Sequence, residues 1–186
     1  MDDFRALLAS EFAPFGRLTE HQLDLLEQHY KLLCHWNKKI NLTRIRGIRE
    51  AVQFHYCESL FLAQWLPRKK LRIVDVGSGA GFPGIPVAIL LPDCTVDLIE
   101  SHQRKAAFIK EASRQLPNVN VISARAEDCV GTYDWMISRA VRVKDLLRLR
   151  LAPSVALLVG AAYAQGFETL KVPWGDHRVL AFHVER

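Results

Sequence analysis

The stretch Val74-Asp75-Val76-Gly77-Ser78-Gly79-Ala80-Gly81-Phe82-Pro83-Gly84 carries the strongest chemical signal in this chain. Glycines reach positive φ without a side-chain penalty and let a ligand approach the backbone. Gly79, Gly81 and Gly84 match the spacing G-x-G-x-x-G, after an apolar run and before a helical pattern, the context that makes a nucleotide-sized pocket. The next apolar run, Val96-Asp97-Leu98-Ile99-Glu100, ends on a carboxylate placed to accept the hydroxyl protons of a ribose. Two ligands compete for such a loop, a dinucleotide and S-adenosylmethionine; a glycine-rich turn with no ligand is the third reading. Asp75 favours the second. A carboxylate entering the loop repels a pyrophosphate, whereas S-adenosylmethionine has no phosphate and carries an ammonium that an acid can hold, directly or through water. Gly77, Gly79 and Glu100 are therefore expected on the cofactor side.

Further along, a backbone N–H in Arg125-Ala126-Glu127-Asp128 can recognise an adenine, or the acids there simply solvate a loop. Ile137-Ser138-Arg139-Ala140 falls where this kind of fold meets its methyl acceptor. It lacks the Asn/Asp-Pro-Pro-aromatic tetrapeptide that grips an exocyclic amine, and the chain has no Pro-Cys dipeptide for attack on a pyrimidine ring. An acceptor with its own lone pair remains, such as the ring nitrogen N7 of guanine, which needs no base. Arg139 can stack on a base, hold a phosphate, brace the cofactor pocket or stand exposed on a loop. No general base is assigned.

The elements that must position these groups follow from periodicity. Phe4, Leu7, Leu8, Phe12 and Phe15 fall at helical spacing. Thr19 and Gln22 form a capping box for a second helix bearing Leu23, Leu26, Tyr30 and Leu33. A third helix spans Ile48 to Trp65, with Trp36 and Trp65 expected in the core of the helical layer. Pro67 to Lys70 reads as a joint, dividing a helical extension (1–66) from a methyltransferase core (67–186). Strands are expected at Leu71–Val76, Thr95–Ile99, Val119–Ile122, Trp135–Ser138 and Val155–Val159, with helices at Gly84–Leu91, after a Ser101 cap, and around Val143–Arg150. Phe167 to Arg186 reads as two strands joined by Pro173-Trp174-Gly175-Asp176. Strands alternating with helices imply an α/β fold with a mostly parallel seven-stranded sheet and N-terminal helices; joined to a loop read as holding S-adenosylmethionine, the expected type is a class I, Rossmann-like methyltransferase.

Lys and Arg outnumber Asp and Glu by 25 to 20, which suits a nucleic-acid partner without requiring one. Cys34, Cys57, Cys94 and Cys129 show no metal-ligand spacing and read as reduced thiols, so no metal is expected. Asp2 and Asp3 argue against a signal peptide, and no apolar run approaches the roughly 20 residues of a membrane span. A cytoplasmic protein with no membrane partner is expected, and a monomer, because no exposed apolar seam is evident. Lys38, Lys39, Arg44, Arg46 and Arg49 form one basic group; Arg139, Arg142, Lys144, Arg148 and Arg150 form another. If both flank the pocket they track phosphates; otherwise they are solvated helix faces. Asn41 and Thr43 can touch a base or close over the cofactor, and His55 is either an RNA contact or a packed histidine. Lys38 and Arg142 complete the candidate RNA contacts.

Several motifs together resemble the RsmG (GidB) family of bacterial 16S rRNA guanine-N7 methyltransferases. They are Trp36-Asn37-Lys38-Lys39-Ile40-Asn41-Leu42-Thr43, His55-Tyr56-Cys57-Glu58-Ser59-Leu60 (with Glu58 where Asp is more usual), the loop from Asp75 extended through Phe82-Pro83-Gly84-Ile85-Pro86, Arg125-Ala126-Glu127 and Ser138-Arg139-Ala140. The resemblance implies that Gly77, Phe82, Ala126, Glu127 and Arg139 line the cofactor site. It also implies transfer from S-adenosylmethionine to one guanosine of 16S rRNA in a small ribosomal subunit or its precursor, leaving S-adenosylhomocysteine. One region departs from the family. After Val159 the usual Lys-Gly and helical crossover give way to Gly160-Ala161-Ala162-Tyr163. That leaves open an RNA-binding module with weak or no activity, or a non-RNA acceptor.

Overall fold

The structure, a computed structural model, describes residues 3–45 and 47–184. Asp2, Arg46 and Arg186, which entered the sequence argument, lie outside the described residues. The N-terminal part is helical: α1 (Phe4–Phe12), α2 (Glu20–Asn37), α3 (Ile48–Ala51), a π-helical turn (Val52–Cys57) and α4 (Glu58–Trp65). The capping box on α2 forms as expected, with Gln22 N donating to Thr19 Oγ1 at 3.2 Å and Thr19 N donating to Gln22 Oε1 at 2.9 Å. The predicted third helix is one helical run, but its middle widens into a π turn, a feature common at functional sites.

A seven-stranded sheet follows, made of β1 (Arg72–Val76), β2 (Thr95–Ile99), β3 (Val119–Ile122), β4 (Trp135–Arg139), β5 (Ser154–Gly160), β6 (Glu168–Lys171) and β7 (Arg178–Val184). The order is β3-β2-β1-β4-β5-β7-β6, with β7 antiparallel to both its neighbours and the other pairs parallel. Helices α5 (Gly84–Leu90), α6 (Gln103–Ala112) and α7 (Val143–Leu149) connect strands. Ser101 does not cap α6: the cap position falls on His102, with no side-chain cap bond.

The two sheet faces are covered unequally. Alternation along β4 and β5 sends Trp135, Ile137, Ala156 and Leu158 into one apolar cluster and Met136, Val155, Leu157 and Val159 into the other. The first cluster also takes Phe4, Leu8, Phe12, Leu26, Tyr56 and Leu60 from the N-terminal helices, so these are locked to the sheet by a shared core. Each fully buried side chain of this size contributes about 1.5–3 kcal/mol. The second cluster draws on one regular helix, α7. From β5 the chain returns to β6 through a 3-10 turn at Ala161–Tyr163, with no regular α-helix between the two strands. Trp36 is half-buried against Phe108, but Trp65 is a correction: it is 52% exposed, at the rim of the helical layer against Phe61 and Phe182.

Candidate functional site

Strand order reverses between β1 and β4, so the connections leaving their C-terminal ends diverge and open a crevice. The glycine loop fills one side of it. Gly77 and Gly79 have φ of 73° and 61°, and a Cβ on Gly77 would come within 2.7 Å of Val141 Cγ2, just beyond β4. Asp75 is fully buried beneath the loop. Its Oδ2 accepts from Ser78 Oγ and, at 2.9 Å, from Gly84 N, tying the loop's start to the first residue of α5. Burial pushes its carboxyl up to about 6, against the pull of those two hydrogen bonds and of Arg139. Asp75 therefore shapes the loop through Oδ2, while its Oδ1 is buried with no hydrogen-bond partner among the described residues.

The loop's amides decide what it can bind. Gly77 N and Ser78 N both donate to Ile99 O, at 2.9 and 3.1 Å; Gly81 N and Phe82 N donate to Ser78 O. Gly79 N donates to Glu100 Oε2 at 2.9 Å, and Gly84 N is held by Asp75. A phosphate cradle needs free N–H groups pointing at the anion. Here those donors are taken by the chain's own acceptors, two of them carboxylates. The pocket suits a phosphate-free ligand. Each Glu100 oxygen has one protein donor, Gly79 N or His102 N at 2.7 Å, and so keeps a lone pair for a ribose hydroxyl.

A second set of side chains converges on Phe82, which is buried, not open to the crevice. The His55 ring stacks on it with centroids 4.6 Å apart, His29 and Tyr56 meet it edge-on, and the Arg139 guanidinium lies 5.2 Å from its centre. Thr43 Oγ1 and His55 Nε2 are 2.7 Å apart, so Thr43, His55, Phe82 and Arg139 form one chain of contacts. Arg139 is not an exposed loop arginine. Two positions beyond Ile137, it shares the helical face of the sheet and donates from Nη1 to Phe54 O. Burial lowers its guanidinium to about 10. Glu58, wholly buried, has Oε1 2.6 Å from Arg178 Nε; burial outweighs the two arginines and lifts its carboxyl to about 7. Burial, then the Arg139 charge, drives His55 down to about 2, so it is neutral.

His29 was not singled out from the sequence, yet it buttresses the loop. Its Nε2 faces Ala80 O at 3.0 Å, and a carbonyl only accepts, so Nε2 carries the proton and Nδ1 accepts from the Tyr56 hydroxyl at 2.7 Å. The signal was a polar residue on the apolar stripe Leu26-His29-Leu33. The other candidates stand apart. Ala126 and Glu127 sit on a 3-10 turn after β3, with Glu127 exposed. Lys38 and Asn41 are exposed beside a loop that Asn37 ties together, its Oδ1 accepting from Leu42 N and Thr43 N. Arg142 is exposed and paired with Asp145 at 2.8 Å. Among the described residues no group of three or more His, Cys, Asp or Glu could hold a metal, and no helix is long and apolar enough to cross a membrane.

A family model for rRNA small subunit methyltransferase G matches residues 22–152. The chain belongs to this family. It is 37% identical over 156 residues to ribosomal RNA small subunit methyltransferase G 1 of Syntrophobacter fumaroxidans, covering 79% of this chain and 70% of that one. It is 35% identical over 146 residues to ribosomal RNA small subunit methyltransferase G of Acetivibrio thermocellus, covering 74% and 60%. The match thus spans roughly two thirds of the length of these methyltransferase G relatives. Among solved structures, a ribosomal protein L11 methylase from Lactobacillus delbrueckii subsp. bulgaricus aligns with a TM-score of 0.56 at 16% identity, over 70% of this chain and 78% of that one. Aeropyrum pernix fibrillarin in complex with S-adenosyl-L-methionine aligns with a TM-score of 0.51 at 16% identity, over 64% and 69%. These two likenesses establish for this chain the class I, Rossmann-like α/β fold and nothing finer.

Proposed function

We propose that this chain is a cytoplasmic methyltransferase that moves a methyl group from S-adenosylmethionine to N7 of a guanosine in 16S rRNA, within a small ribosomal subunit or its precursor. The observation that carries the reading is the loop in which the amides of Gly77, Ser78, Gly79, Gly81, Phe82 and Gly84 are occupied within the chain. It disfavours a pyrophosphate and accommodates a donor without phosphate, and family membership supplies the acceptor class. In this reading Gly77 and Gly79 pass their backbone along the donor, and Glu100 accepts from its ribose. Phe82 and Arg139 close the inner wall, and Ala126 and Glu127 flank the adenine. The donor supplies a methyl carbon activated by a sulfonium.

The chain's own work is orientation. N7 of guanine already bears a lone pair, so no proton must leave before transfer. Accordingly the acids near Phe82 are buried and engaged, Asp75 with the loop and Glu58 with Arg178, while His55 is neutral. Buried His55, stacked on Phe82, braces Thr43 from within, and Asn41, Lys38 and Arg142 are the outer RNA contacts of this reading.

The short crossover favours a second reading, an RNA-binding module with little turnover. Incubation with methyl-labelled S-adenosylmethionine and small ribosomal subunits, followed by nucleoside analysis, separates the two. Label in N7-methylguanosine is expected; cofactor binding without labelled rRNA shifts the balance to the module, and label in protein points to a non-RNA acceptor.

A further inference from the structure

The second basic group does not surround the pocket as one surface. Arg139 turns into the helical face, while Lys144, Arg148 and Arg150 lie on the other side of the sheet. There they line an open groove of about 740 Å³ between α7 and the short return to β6, together with Leu147, Gln165 and Phe167. The groove lies where the chain, after the 3-10 turn that follows β5, runs through Gln165 and Phe167 toward β6.

Its chemistry is one-sided. No acid lines it. Among the described residues no ion pair engages Lys144, Arg148 or Arg150, while the one acid of α7, Asp145, pairs with Arg142. Leu147 is 43% exposed, and Phe167 lies half-buried beside it. Arg150 ends α7 at φ 48°, a left-handed conformation that residues other than glycine rarely adopt. Glycine would end the helix more cheaply, and strain of this kind gathers at functional sites. α7 begins two residues after Val141, whose methyl borders Gly77, so the groove starts at the pocket end of the sheet with Val143 and runs away from it toward Arg150.

We infer that this groove is a phosphate-tracking subsite for single-stranded RNA, leading from the methyl-transfer pocket along α7. The inference rests on reading the chain as an RNA methyltransferase and assigns where the strand flanking the target guanosine runs. Lys144, Arg148 and Arg150 meet successive phosphates, while Leu147 and Phe167 give bases or riboses an apolar floor, the combination that serves sequence-tolerant strand binding. A protein segment of acidic character and a second copy of this chain are the competing occupants.

The test is a salt titration of binding to a short fluorescein-labelled single-stranded RNA. It compares the wild type, K144Q/R148Q/R150N, and a control, R68Q/K69Q/K70Q, whose exposed cations lie just before β1 at the far end of the strands. Each lost phosphate contact lowers the slope of log K against log salt by about 0.7 for a single strand, so the groove variant should be shallower by about 2 and the control unchanged. Calorimetric S-adenosylmethionine binding should be equal in all three, which excludes misfolding. An unchanged slope in the groove variant, an equal fall in both variants, or a wild-type dimer that the groove variant dissolves each overturns the subsite. If the wild type methylates small-subunit rRNA while the groove variant keeps its slope, the subsite alone falls. If the wild type methylates nothing, the enzyme reading falls, and the slope still decides the groove.

Discussion

Arg139 of β4 donates from Nη1 to the carbonyl oxygen of Phe54, in the π-helical turn, at 2.6 Å. This contact joins β4 of the sheet to the helical run of the N-terminal part. The same guanidinium lies over Phe82 and shares the Glu58 carboxylate's field with Arg178. Arg139→Ala leaves Phe54 O without its side-chain donor and Glu58 with one fewer compensating charge, so a loss of about 1–3 kcal/mol in urea unfolding is expected. Arg139→Lys restores charge but not the fork that reaches Phe54 while covering the ring. S-adenosylmethionine affinity should fall in both variants, with stability recovered in part by Lys. Wild-type affinity in Arg139→Ala contradicts its place on the cofactor wall.

Two glycines should separate binding from folding. A Cβ on Gly84 would sit 2.2 Å from Leu98 Cδ2 and 2.6 Å from Asp75 Oδ2, inside the core. Gly84→Ala should therefore destabilise by about 1–3 kcal/mol through overpacking. A Cβ on Gly79 meets nothing closer than Gly77 O at 3.8 Å, so Gly79→Ala bears only its φ of 61°, about 1–2 kcal/mol. Its new methyl, however, enters the space assigned to the ligand. Thermal unfolding and calorimetry together should show Gly84→Ala weak in stability and Gly79→Ala weak chiefly in cofactor binding. The reverse order would displace the ligand from the loop.

His29 should impose an acid limit on stability. Burial lowers it from 6.5 to about 4, against the raising effect of Ala80 O. A group whose folded pKa is depressed contributes stability that is present above its unfolded pKa and lost as pH falls through the folded one. For His29 that window runs from 6.5 down to about 4, and Asp75, raised to about 6, acts with the opposite sign. Comparison with His29→Gln removes the shared carboxylate contribution. The wild type should lose about 1.4 kcal/mol per pH unit relative to the variant within the window, about 3 kcal/mol in all. Parallel urea-denaturation stabilities for the two proteins from pH 7.5 to 4.5 would mean that His29 titrates normally.

Much of the fold was legible because local and global patterns agree. Val119–Ile122 and Thr95–Ile99 were placed to the residue, since short apolar runs flanked by turn residues leave little freedom of register. The Thr19–Gln22 box was equally local. What escaped the sequence depends on distant partners. His29 acts through Ala80 and Tyr56, and the ties of Asp75 Oδ2 to Ser78 and Gly84 depend on how the loop closes onto α5. The basic run from Arg139 to Arg150 looked like one surface, but strand alternation sends Arg139 to one side of the sheet and α7 covers the other. Ser101 lost its cap because α6 starts after His102.

In the proposed function the glycine loop holds a phosphate-free methyl donor. Calorimetric titration of the purified wild type with S-adenosylmethionine, beside NAD and beside Gly77→Asp, tests it most directly. Saturable heat from S-adenosylmethionine with the wild type, none with NAD and none with Gly77→Asp is the predicted result. NAD binding, or S-adenosylmethionine binding that survives an aspartate driven against Val141, would contradict the account.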